Sequence, residues 1–236
     1  MTLLILEFGT FLGFLTQTVA GFSAGLFALP ILLLVVDLQE ASALLAPLFL
    51  AFSAFYMVKE WSAMDKRALL ELGLGTTGGL AIGVYLLKSA DPELLQRLLG
   101  GLILAYVLYR LTQRSRIALF ERLGLLFGLV GGIVTGLYSA GGTFYVIYLH
   151  NKFEKAEVIR ATVLGVLGLA NIIRIPLLLQ TEILTLESLR RSLLVLPALL
   201  LGLYAGEKLY AQLDNALFKR VLLALLVLSG ITLLFR

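Results

Sequence analysis

Two glycine-broken clusters hold the residues best suited to chemistry. The first runs Gly21-Phe22-Ser23-Ala24-Gly25 and on through Leu26-Phe27-Ala28-Leu29 to Pro30; the second is Gly136-Leu137-Tyr138-Ser139-Ala140-Gly141-Gly142-Thr143. Each interrupts an apolar run that would otherwise read as a plain membrane helix. Glycine lets the backbone leave helical geometry, and a serine after the break can N-cap a new helix. A helix that starts inside hydrocarbon presents unsatisfied N–H donors and a partial positive charge, which lipid cannot meet. A small anion can. Ser23, Ala24, Gly25, Ser139, Ala140, Gly141, Gly142 and Thr143 are therefore expected to bind one, through backbone N–H groups aided by the two hydroxyls.

Arg174 is the other residue that stands out, deep in an apolar segment with Asn171 one turn before it and Pro176 loosening the helix after it. An intramembrane arginine is costly and marks a substrate path or an ion pair. The competing reading is snorkelling toward the nearby interface, and the sequence leaves both open. Gln17, with Thr16, Thr18 and Thr162, would line the same route. Glu7 and the sole histidine, His150, read as surface and interfacial residues.

Composition excludes most other chemistry. Of 236 residues 60% are hydrophobic and only 14% charged, with a mean hydropathy of +0.98, far above a soluble domain. The net charge of +4 resides in loops and forms no basic-aromatic groove for nucleic acid. With no cysteine there is no disulfide or thiol chemistry. No His/Asp/Glu cluster has metal spacing, no phosphate loop occurs, and neither serine has a partner base, so no cofactor and no enzymatic activity are expected.

The elements that must position these residues are ten apolar segments, five and five. They run Leu3–Ala20, Phe22–Val36, Ala41–Val58, Ala68–Leu87 and Leu94–Leu111, then Leu123–Leu137, Ala140–Leu149, Val158–Leu179, Ser192–Gly206 and Leu217–Phe235. The expected fold is an all-α integral membrane protein of two repeats, 1–112 and 123–236, joined by a basic linker over 113–122. A shift of 115 carries Gly9, Gly13, Gln17 and Gly21 onto Gly124, Gly128, Gly132 and Gly136. A shift of 123 carries Gly79, Gly83 and Asp91 onto Gly202, Gly206 and Asp214. These stripes outside the tips read as helix packing.

Charge decides topology. If the first two segments of each repeat form a hairpin, loop lysines and arginines divide thirteen against five; if they form one broken span, ten against eight. The positive-inside rule selects the hairpin. Five segments per repeat then invert the halves, leave both termini outside the cytoplasm, and put both Ser-Ala-Gly tips within the membrane. The expected function is a secondary carrier of a small anion by alternating access. A passive anion pore or a non-transporting membrane scaffold is the alternative.

The motifs resemble those of the sulfite exporter TauE/SafE family. Gly21 to Pro30 is similar to the family's first glycine cluster, with Ser23 and Ala24 where glycines are usual; Ser139 to Thr143 is similar to the second, with Val146 or Ile147 in place of the later proline. Arg160-Ala161-Thr162 resembles an Arg-Ala-Thr-Ser element, Val163 replacing the serine. The resemblance implies ion-coupled transport of sulfite, sulfonates or related sulfur oxyanions across the cell membrane. Partners are then the anion, a coupling ion and the lipid bilayer, with a homo-oligomer left open.

Overall fold

The computed structural model of the chain describes residues 1–22, 24–112, 120, 122–212 and 215–235. Among them are ten α-helices: α1 (Thr2–Ala20), α2 (Ala24–Leu32), α3 (Leu38–Lys59), α4 (Lys66–Ser89), α5 (Pro92–Thr112), α6 (Gly124–Tyr138), α7 (Gly142–Lys152), α8 (Ala156–Gln180), α9 (Leu186–Gln212) and α10 (Asn215–Leu234). Ser23, Asp214 and most of the 113–122 linker lie outside the described residues.

Where helix bounds differ from the apolar windows, capping is the reason. Asp37 accepts the Glu40 N–H at 2.8 Å, so α3 starts before the first alanine of its window. Thr185 and Ser188 cap α9 reciprocally: the Thr185 N–H donates to Ser188 Oγ at 2.8 Å and the Ser188 N–H to Thr185 Oγ1 at 3.2 Å. That places a full polar first turn ahead of Ser192. At the other extreme α2 has only 9 residues and gives way to tight turns, with the Val35 N–H bonded to the Leu32 carbonyl.

Five of the described helices, α1, α3, α4, α8 and α9, are long and apolar enough to cross a bilayer. Apolar side chains cover the outside as well as the core, and some polar ones are enclosed. Leu74, Tyr85, Leu98, Leu194, Leu201 and Leu228 face outward, while Thr16, Gln17, Ser42, Ser53, Asn171 and Arg174 are buried. The chain is a multi-pass membrane protein, with its polar side chains gathered where other helices can satisfy them.

Helix α4 packs on α6 and α9 on α1; α3 packs on α8 and α9, α4 on α8, and α5 on α10. Exchanging α1–α5 for α6–α10 leaves these pairings unchanged. The closest approaches follow the same exchange: a Cβ on Gly79 would strike the Leu129 carbonyl, and one on Gly202 would come within 2.7 Å of the Phe11 carbonyl. Gly83 and Gly206 meet the carbonyls of Ile133 and Leu15 in the same way.

Phe11 and Leu15 lie 118 residues before Leu129 and Ile133, three more than the shift the letters favour. Gly9 and Gly13 do not share the packing partners of Gly124 and Gly128. They face Ile31, Leu32, Ala24 and Ala28 of α2, whereas Gly128 and Gly132 face Leu72 and Thr76 of α4, and Gly124 faces Tyr148 and Glu71. At an offset of 118 Gly13 falls on Gly131, which is set against Tyr145 of α7. Letters alone do not separate the two offsets, because α6 carries glycine on two faces.

Gly79→Leu should force α4 and α6 apart at backbone contacts that cannot yield. Overpacking of this kind costs about 1–3 kcal/mol or more. The expected readout is a lowered melting temperature and loss of the monodisperse peak in detergent.

Candidate anion-binding site

Both hairpins are broken, and at the second the break differs from what the serine pattern predicts. Helix α1 ends at Gly21, whose φ of 82° and N–H bond to the Gln17 carbonyl make it a left-handed C-cap. The first break falls at Gly21-Phe22, and Ala24 and Gly25 are already helical.

In the second hairpin Ser139 is the left-handed C-cap of α6, with φ 54° and its N–H on the Thr135 carbonyl. It does not N-cap α7. That position is Gly141, which makes no side-chain cap bond. Gly21 and Ser139 are 118 residues apart and share the left-handed conformation.

The breaks nevertheless meet. A Cβ on Gly25 would strike the carbonyls of Tyr138 and Ser139, and one on Gly142 would sit 3.0 Å from Phe22 Cβ. The first turn of each short helix therefore abuts the opposite break. Thr143 is buried there, its hydroxyl donating to the Ala140 carbonyl at 2.9 Å, and Ala140 is wholly enclosed.

Arg174 of α8 reaches this junction. Nη1 donates to Ser139 Oγ at 2.5 Å, and Nη2 to Ser42 Oγ at 2.7 Å and the Gly136 carbonyl at 3.2 Å. The residue is 0% exposed, so it does not snorkel. Nε finds no acceptor, and no carboxylate pairs with the guanidinium among the described residues. Among the described residues the cation is compensated by two hydroxyls and the C-terminus of α6, the latter worth about half a negative charge. A buried cation left so under-compensated is expensive.

The same contact occurs once more on α8. Arg160 Nη2 donates to the Thr18 carbonyl at 3.3 Å, and Thr18 lies 118 residues before Gly136. Each arginine thus holds the last turn of one broken arm. Their compensation differs: Arg160 Nη1 is 2.6 Å from Glu60 Oε1, and its guanidinium lies 5.3 Å from the Tyr56 ring. Burial raises the Glu60 carboxyl above its ordinary range, against the opposing pull of Arg160 and Lys59.

Ion pairs tie α3 to α9 at both of its ends. At the Glu60 end, Lys59 Nζ is 2.6 Å from Glu207 Oε1, which also accepts from Tyr56 at 3.1 Å. At the other, Arg191 bridges Glu40 and Glu187. A cavity of about 370 Å³ lies at the first end and one of about 250 Å³ at the second.

The remaining sequence candidates lie outside the Arg174 contacts. Asn171 Nδ2 donates to Ser53 Oγ at 3.1 Å across the α3–α8 contact. Gln17 is buried on α1, while Thr16 and Thr18 turn their hydroxyls onto carbonyls of their own helix. Thr162 accepts the Asp65 N–H at 3.0 Å. Sequence reasoning missed Ser42 and the part played by Arg160. Ser42 carries no local signal, but Arg160 did: it precedes Arg174 by 14 residues, close to four helical turns, and so shares its face.

No curated protein and no solved structure matches the chain. A family model does, over residues 5–233, and by that match the chain belongs to the sulfite exporter TauE/SafE family of membrane transporters.

Proposed function

We propose that the chain carries a small sulfur-containing oxyanion, such as sulfite or an organosulfonate, across the cell membrane by alternating access of two inverted halves. The observation that carries this reading is Arg174: a guanidinium 0% exposed, without a carboxylate, placed where two broken helices meet. An anion at this point completes the charge balance and takes up helix-terminal donors. Helices α2 and α7, at 9 and 11 residues, span about 14 and 17 Å, short of the roughly 30 Å of hydrocarbon. Each hairpin thus turns inside the bilayer. The exchange symmetry of the helix contacts and the loop-charge bias support inverted halves, with both termini outside the cytoplasm. Ion pairs at both ends fit an occluded carrier better than an open pore.

The test is ligand-dependent stability. Anion bound to the native state at a hundred times its Kd adds about 2.7 kcal/mol. Purified protein should melt several degrees higher with sulfite or a small sulfonate than with equal chloride. Indifference to every anion in the series would remove the site from the mechanism.

A further inference from the structure

We infer that Arg160 is a second anion station on the transport path, and that the Glu60 carboxylate occupies it until an incoming anion displaces it. This deepens the proposed function and rests on Arg174 being the central station.

Three observations carry it. The first is equivalence of position: Arg160 and Arg174 sit on one face of α8, and each donates through Nη2 to the last turn of a broken helix, Thr18 in α1 and Gly136 in α6. The second is the difference in charge balance. Where Arg174 has only hydroxyls and a carbonyl, Arg160 has a carboxylate oxygen at 2.6 Å. Glu60 thus fills, at one station, the place that an oxyanion would fill at the other. The third is access: Arg160 and Glu60 line the cavity of about 370 Å³, with Lys59, Ser62, Ala63 and Glu157. In the hairpin topology this end is the one with thirteen of the loop lysines and arginines, and the lining itself balances Lys59 and Arg160 against Glu60 and Glu157, so that loss of the Glu60 charge leaves it net positive.

The stations stand 14 residues apart, about 21 Å along the helix, so one anion cannot bridge them. It must pass from one to the other. Glu60 is tethered in the loop after α3, so its effective concentration at Arg160 is high but it cannot follow the anion inward. The carboxylate therefore acts as a reversible plug, set by competition for one guanidinium.

Sulfite binding to purified protein, read by thermal shift and titration calorimetry, tests this in an Arg174→Met background that isolates the outer station. Arg174→Met alone should bind sulfite barely, because Glu60 holds Arg160. Adding Glu60→Gln should tighten the apparent Kd at least tenfold, and adding Arg160→Met to that pair should abolish the gain. If Glu60→Gln changes nothing in this background, Arg160 is only a structural cap and the inference fails. A shift in the unsubstituted chain that Arg174→Met leaves intact would instead sink the central-station reading. Should the double variants not fold, Glu60→Gln in the native chain reports alone. In vesicles it should lower KM for sulfite from the basic side at least threefold, and an unchanged KM overturns the inference.

Discussion

Replacing Arg174 by methionine should abolish sulfite-dependent stabilisation and vesicle transport, to below a tenth of the native values, while moving the melting temperature of the anion-free protein by only a few degrees. The small second effect follows from two opposed terms of similar size. Removing the side chain forfeits hydrogen bonds to Ser139, Ser42 and the Gly136 carbonyl, each worth about 1.5–3 kcal/mol when the donor is charged. It also removes a buried cation with no carboxylate, whose effective desolvation penalty is several kcal/mol. Methionine fills much of the space without an unmet donor.

A purely structural arginine predicts the reverse pattern. If Arg174 only capped α6, its loss would lower the melting temperature sharply and leave any anion effect in place. Arg174→Lys separates charge from shape: the ammonium keeps the cation but cannot span Ser139 and Ser42 with one planar fork. Its sulfite affinity should fall between native and methionine values. Melting curves with and without sulfite, for three proteins, decide between the two accounts.

How much of this was legible beforehand depends on what kind of signal each feature leaves. The ten helices announced themselves as apolar runs, and their discrepancies sit at polar caps such as Asp37 and Thr185-Ser188, which a hydropathy window discards. Helix breaks at the two glycine clusters were readable because glycine and short polar residues tolerate the left-handed conformation that Gly21 and Ser139 adopt. Their internal register was not. The Ser-Ala-Gly triplets invite alignment, yet the repeated backbone conformation pairs Gly21 with Ser139, and only packing partners reveal that.

Arg174 was singled out for its depth in an apolar helix, but its partners were not. Ser139 and Ser42 lie 35 and 132 residues away in the chain. No local pattern connects them, since they are brought together by α8 crossing α3 and the end of α6. Arg160 belongs to the Arg-Ala-Thr element and also stands 14 residues before Arg174. Two basic residues on one face of an apolar helix are visible from the period of 3.6 alone.

Gly25→Ala is the substitution with the largest effect for the smallest change. A single methyl there would strike the Tyr138 and Ser139 carbonyls, backbone atoms of the opposite hairpin that cannot rotate aside. The first turn of α2 would have to withdraw from the α6 break, separating the two tips that the proposed anion site requires. Overpacking at such a contact costs about 1–3 kcal/mol, against only about 0.5–1 kcal/mol gained from replacing a helical glycine.

Gly101→Ala supplies the contrast. It also lies within a helix, α5, but an added Cβ there meets nothing within 4 Å. That protein should be as stable as the native chain or slightly more so, with transport unchanged. Gly25→Ala should retain helix content by circular dichroism yet lose sulfite-dependent stabilisation and at least nine-tenths of its transport. Equal transport by the two alanine variants would mean that contact between the hairpin tips is incidental, and that Arg174 attracts its anion without them.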